Sequence, residues 1–148
     1  MSSFKKIIFS TVFILLNMNC ASKKELKKGE KDKLITKQEK LLVGFQKKFN
    51  LTSQQVQTFR QGVEKSKDEE SVDNLNGLIT LMETLKEELE SSNLVDQQAN
   101  LSFVNATIRE YIPDFPTITD VKKAIQVIDI QTQIWENVKE QVALKIKN

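Results

Sequence analysis

From Leu34 onward, apolar residues recur at three- and four-residue steps, and no stretch sustains the alternation that a half-buried strand requires. The pattern predicts an all-helical domain over residues 34–148. Its first segment, about Leu34 to Phe49, gathers Leu34, Leu41, Leu42, Phe45 and Phe49 on one side with lysines opposite, and stops at Asn50. Thr52 and Gln55 have the spacing of a capping box, and Leu51 is placed to pack on Val56 as a hydrophobic staple, so a second helix begins here with Val56, Phe59 and Val63 as its apolar face. Ser66 and Glu69 repeat the spacing and predict the start of a third helix, whose stripe runs through Val72, Leu75, Leu78, Ile79, Met82, Leu85 and Leu89. That stripe keeps phase across Asn76-Gly77, so one continuous helix is expected despite a cost of about 1 kcal/mol for an interior glycine.

Ser91-Ser92-Asn93 closes the third helix, and Asn93 is a candidate cap for a fourth that carries Leu94, Leu101, Val104, Ile108 and Tyr111. The fourth must end at Ile112, because Pro113 disfavours helical geometry in the residue before it. A last helix is expected from about Thr117, with Asp120 at its N3 position, through Val121, Ala124, Ile125, Ile128, Trp135, Val138, Val142 and Ile146. Ile130 and Ile134 widen its apolar face, which puts it in the middle of the assembly. Short connections favour antiparallel neighbours. The expected architecture is therefore a compact antiparallel bundle of about five helices.

Residues 1–33 follow another pattern. Lys5 and Lys6 precede an apolar run from Ile7 to Leu16 broken only by Ser10 and Thr11. The run is too short to span a membrane, which takes roughly 20 apolar residues, and has the form of an export signal peptide over residues 1–19, removed on maturation. The single cysteine, Cys20, stands where the run stops and is followed by the small residues Ala21 and Ser22. A lone thiol cannot form an internal disulfide. Leu16-Asn17-Met18-Asn19-Cys20 resembles the lipobox of bacterial lipoproteins, in a relaxed form similar to that of spirochaetes. It departs from the usual pattern in having Leu16 four residues before the cysteine rather than three, and Asn19 rather than a small residue just before it. The resemblance implies that Cys20 is the lipidation site, becoming the first mature residue and carrying acyl chains such as palmitate. At about 0.8 kcal/mol per buried methylene, two or three such chains make membrane attachment effectively permanent.

Residues 21–33, beyond the lipidated cysteine, hold six lysines, three acids and almost no apolar side chain, which predicts a flexible tether from Cys20 to residue 33. The formal charge of the whole chain is +2, but Leu34 to Asn148 counts fourteen basic against seventeen acidic residues. The positive charge is therefore concentrated near the anchor, and nucleic acid is not an expected partner of the folded part. A Lys-rich stretch beside an acyl anchor adds attraction to anionic lipids, or serves only as a solvated spacer.

Catalytic chemistry is poorly provided for. There is no histidine, and the one thiol is assigned to lipidation. Glu69-Glu70 and Glu87-Glu88 are adjacent in sequence, so on a helix each pair diverges by about 100° and cannot share a substrate atom. Asp68 to Gly77 is acidic but lacks the order of a calcium loop. No Gly-rich phosphate loop or nucleophile elbow occurs. The expectation is a protein without enzymatic activity, metal, cofactor or small-molecule substrate.

One aromatic group has two readings. Phe115 lies between Asp114 and Pro116 in the proline-flanked connection from Ile112 to Thr117, near Tyr111 and Trp135 in the helical pattern. As a rigid ring at a constrained tip it is the candidate partner-binding residue; the competing account folds it over one end of the core beside Tyr111. Lipobox, Lys-rich tether and helical bundle together resemble the small surface lipoproteins of spirochaetes, several groups of which are helical and bind host matrix or complement proteins. The specific resemblance covers the first thirty or so residues. It implies an outer-membrane, surface-displayed binding module for a host or other protein partner; the alternative is a periplasm-facing structural or accessory envelope lipoprotein.

Overall fold

A computed structural model of the chain describes residues 28–91 and 93–146; the expected signal peptide, Cys20 and the tether through residue 27 lie outside the described residues. Five helices account for nearly all of what is described: α1 over residues 28–49, α2 Ser53–Glu69, α3 Val72–Ser91, α4 Leu94–Tyr111 and α5 Val121–Ile146. They pack as a compact helical bundle without strands among the described residues, as the apolar spacing predicts. None of these helices is long and apolar enough to cross a membrane.

Residues 28–33 correct the expected tether, because they are already the first turns of α1. Lysine and glutamate are good helix formers. Once the docked residues Leu34 and Gln38 hold a turn in place, extending it backward costs little, since nucleation is the expensive step. The helix ends where expected: Asn50 takes the left-handed conformation at φ 51°, which asparagine tolerates better than most residues, and Leu51 N donates to Gln46 O at 2.9 Å.

The capping box of α2 forms as the sequence implies, with Gln55 N donating to Thr52 Oγ1 at 3.1 Å and Thr52 N donating to Gln55 Oε1 at 2.9 Å. Ser66 and Glu69 do not open a new helix. Val63 and Lys67 keep the inward face of α2 covered for another turn, so the helix continues to Glu69, and the Ser66 hydroxyl donates back to Gly62 O at 3.0 Å. The break falls at Glu70 and Ser71, where Asn74 N donates to Ser71 Oγ at 3.1 Å and starts α3. From there α3 is one helix across Asn76-Gly77, both exposed.

Asn93 caps α4, accepting from Asp96 N at 3.0 Å, and the helix gives out at Ile112 before Pro113. The beginning of α5 differs from the expected start at Thr117. Asp120 is the cap rather than the N3 residue, accepting from Lys123 N at 3.0 Å, and residues 115–120 have no regular secondary structure. Asn105 explains why. Its buried amide donates to Ile118 O at 2.9 Å and accepts from Ile118 N at 2.8 Å, satisfying both backbone groups of a residue that would otherwise seek helical partners. Arg109 Nε donates to Phe115 O at 3.2 Å, so the connection is laid back along α4 before α5 starts.

At 26 residues, α5 is about 39 Å long and lies in the middle of the bundle, most extensively packed on α3 and also touching α2 and α4. Lys86 of α3 meets Asp129 in the first half of α5 at 2.9 Å, and Lys145 near the end of α5 reaches Asp68 in the last turn of α2, four residues before α3 begins, at 3.0 Å, so α3 and α5 run antiparallel. Ala124, Val127, Ile128, Ile134, Trp135 and Val138 are fully or almost fully buried, whereas Ile146, expected in the core, is 70% exposed in the last turn. Gln131 is also fully buried, one turn before Trp135, and its amide has no protein partner. Such a group costs about 1–3 kcal/mol.

α1 is held differently at its two ends. Leu42, Phe45 and Phe49 enter the core, with Phe45 edge-on to Phe59 at 5.4 Å between ring centroids. Nearer its start, polar groups do the holding: Asn137 Nδ2 donates to Leu34 O at 2.9 Å, Gln141 Nε2 to Gln38 Oε1 at 2.8 Å, and Gln38 Nε2 to Glu64 Oε1 at 3.0 Å. Arg60 pairs with Glu39 at 2.8 Å.

Candidate protein-docking face

The residues singled out from the sequence do not assemble into a site. Cys20 lies outside the described residues. Phe115 is only 2% exposed; its ring stacks on Phe45 at 6.1 Å and lies 6.0 Å from Phe49. The partner-binding reading of Phe115 is thereby corrected: the ring closes one end of the core. The reason is that α1 returns its own aromatics to that end, which gives Phe115 a place to go that its immediate neighbours Asp114 and Pro116 do not supply. Tyr111 and Trp135 belong to the same aromatic cluster, at 5.1 Å from each other, with Phe59 beside both. Burial, and then the nearby charges of Glu110 and Glu70, push the Tyr111 hydroxyl above its usual range.

Among the acidic residues, Glu69, Glu70, Glu87 and Glu88 are all exposed, and no group of His, Cys, Asp and Glu suited to a metal occurs among the described residues. The clefts along α1, one of about 350 Å³ between Lys33, Leu34, Ala143 and Leu144, are open to solvent rather than enclosed.

What the structure does present is the outward face of α4. Val104, Asn105 and Ile108 point into the bundle, and on the opposite side Val95, Ala99, Phe103 and Ala106 form an exposed stripe with Ser102 beside it. Val95 is 78% exposed and Phe103 45%, and Leu94 at the helix start is 76% exposed. In a chain of which 28% is charged, the twelve residues from Gln97 to Ile108 carry no charge at all. The other outward faces set charge around their exposed apolar residues. That of α3 shows Asp73, Glu83, Glu87 and Glu90 along with Leu81, and that of α1 shows lysines along with Ile35 and Val43.

A surface helix ordinarily places charge opposite its buried stripe. Contiguous exposed apolar surface on a helix that has no need of it marks an interaction surface, whereas a single exposed apolar residue does not. The signal was present in the sequence as the uncharged run and as Val95, Ala99 and Phe103 at four-residue steps. It is obscured because Leu101, Val104 and Ile108 repeat with similar steps, and only packing tells which of two apolar faces is covered. Compared with known protein families, with curated proteins and with solved structures, the chain matches none.

Proposed function

We propose that the protein is a lipid-anchored, non-enzymatic binding module, attached to the outer membrane through acyl chains on Cys20, displayed at the cell surface, and engaging a protein partner through the outward face of α4. The observation that carries the reading is the exposed stripe of Val95, Ala99, Phe103 and Ala106, the last three of which lie in the uncharged run from Gln97 to Ile108. The middle of this face carries no charge, with Asp96 and Glu110 at its two ends; it suits a partner that brings an apolar patch of its own, because charge left unpaired at its centre would cost several kcal/mol of desolvation. Phe103 supplies the aromatic anchor typical of interface hot spots. The lipobox resemblance supports the anchor.

Two measurements test the parts separately. Metabolic labelling with fatty acid should mark the wild type and leave Cys20→Ala unlabelled, and protease added to intact cells should clip the protein; a protein untouched while an exposed control is digested would place it on the periplasmic side. For docking, the mature protein is titrated with extracellular matrix and complement proteins. The expected result is saturable binding that Phe103→Glu weakens about thirtyfold, as for a hot spot worth roughly 2 kcal/mol, with melting unchanged. Binding unaffected by Phe103→Glu would overturn the assignment of the face, and no saturable binding would overturn the partner class.

A further inference from the structure

The lysines of α1 are not scattered. At 100° per residue, Lys33, Lys37, Lys40, Lys47 and Lys48 fall within one sector of about 100°, centred away from the side that buries Gln38, Leu42, Phe45 and Phe49. All five are exposed, and none enters an ion pair among the described residues. Between Lys33 and Lys48 the sector holds no acid; Thr36 and Gly44 fill the gaps, and Glu39 sits to one side in its pair with Arg60. The helix as a whole, residues 28–49, has seven lysines against three acids, while residues 50–146 have nine basic residues against sixteen acidic. The charge of the bundle is therefore polarised, with one basic helix on an acidic body.

We infer that the outward face of α1 is a docking surface for anionic phospholipid, laying the bundle against the bilayer along this helix. The inference rests on the lipid-anchor reading of Cys20 for its location. Seven residues lie between Cys20 and the first described residue of α1, a reach of at most about 29 Å even if fully extended, so the start of the basic helix is held within that distance of the anchor. The stripe from Lys33 to Lys48 spans about 22 Å of straight helix, a length matched by a flat surface of repeated negative charge. Its chemistry suits diffuse attraction: lysine is a compact point charge, and the sector contains neither arginine, which grips phosphate by bidentate hydrogen bonds, nor an aromatic ring on which a nucleic-acid base would stack. The acidic remainder is repelled by the same surface, so the two halves of the charge distribution favour a single orientation.

The test uses the mature chain with Cys20→Ser, which has every described residue and no acyl group, so that its result is independent of whether Cys20 is lipidated in cells. Co-sedimentation is measured with vesicles of phosphatidylcholine alone and with vesicles containing 30% phosphatidylglycerol. Binding is expected only to the anionic vesicles, and is expected to vanish in 1 M salt, where the screening length falls to about 3 Å. Each lysine near an anionic surface contributes roughly fivefold, so Lys33, Lys37, Lys40 and Lys47 all replaced by Gln should lower partitioning several hundredfold. Melting should be unchanged, because these side chains touch nothing in the core. Lys122→Gln with Lys139→Gln, which removes charge elsewhere, should change it no more than a few fold. Equal binding to both vesicle types, no binding to the anionic ones, or the same loss from the Lys122 and Lys139 substitutions would overturn the inference. So would preference for a single-stranded oligonucleotide over the anionic vesicles.

Discussion

Replacing Phe115 by Ala removes a ring that is 2% exposed and lies between Phe45 and Phe49 of α1. Deleting a buried phenyl costs about 3–5 kcal/mol through lost transfer energy and the cavity left behind. Two further effects bear on where this site falls in that range. The ring makes two aromatic contacts, each worth about 0.5–1.5 kcal/mol beyond area burial, which argues for the upper half. Against that, the connection is only tied down by side-chain hydrogen bonds, Gln55 Nε2 to Asp114 O at 3.4 Å and Arg109 Nε to Phe115 O at 3.2 Å, so it can settle inward and recover part of the loss. The expected cost is therefore about 3 kcal/mol. In urea, with a slope of roughly 1–2 kcal/mol per molar, the midpoint should fall by about 1.5–3 M without a change of slope. Phe115→Leu, which keeps most of the volume, should cost about half as much. A midpoint shift of less than about 0.5 M in Phe115→Ala would refute the packing argument and restore the ring to the surface, where its loss would weaken a partner contact instead.

Asn105→Ala strips both backbone groups of Ile118 of their partner and is expected to cost about 2–4 kcal/mol, with faster hydrogen exchange at the Ile118 amide as its local signature. The glycines of α2 and α3 should respond in opposite ways. Gly77→Ala adds a methyl to open space on a helix and should stabilise by about 1 kcal/mol, while Gly62→Ala would put its Cβ 2.9 Å from the Tyr111 ring and should destabilise by about 1–3 kcal/mol; thermal melts of the pair decide it. Burial alone would raise the Glu64 carboxyl, but hydrogen bonds from Lys67 and Gln38, and the Lys67 charge, outweigh it and hold the group below its ordinary value of 4.5. A depressed carboxylate contributes stability above its unfolded value that is lost as pH falls through the folded one, so denaturation profiles of wild type and Glu64→Gln should converge below about pH 4.5 and separate above it.

How much of this was legible in the residues can be followed element by element. The class of fold was, because a 3.6-residue period of apolar side chains is written in one dimension and needs no knowledge of neighbours. Local chemistry was legible too: the Thr52 and Gln55 box, the Asn93 cap, the stop at Asn50 and the end before Pro113 all depend on residues within a turn of one another. The expected anchor at Cys20 likewise rests on a short linear signal, while the bundle begins only beyond it.

What the sequence left open depended on contacts across the chain. Ser66 and Glu69 have the spacing of a cap, yet α2 continues past Ser66, since Val63 and Lys67 still have a core to cover. Thr117 has the spacing too, but Asn105, thirteen residues before Ile118, takes both backbone groups of Ile118, and the helix begins only after Asp120. Phe115 has no apolar neighbour in sequence and is buried by Phe45 and Phe49, some seventy residues away. The outward face of α4 was equally undecided, because two apolar stripes on one helix read alike until packing covers one of them. A periodic pattern fixes which residues share a face; only tertiary structure fixes which face meets protein and which meets solvent, since burial is a property of what lies opposite.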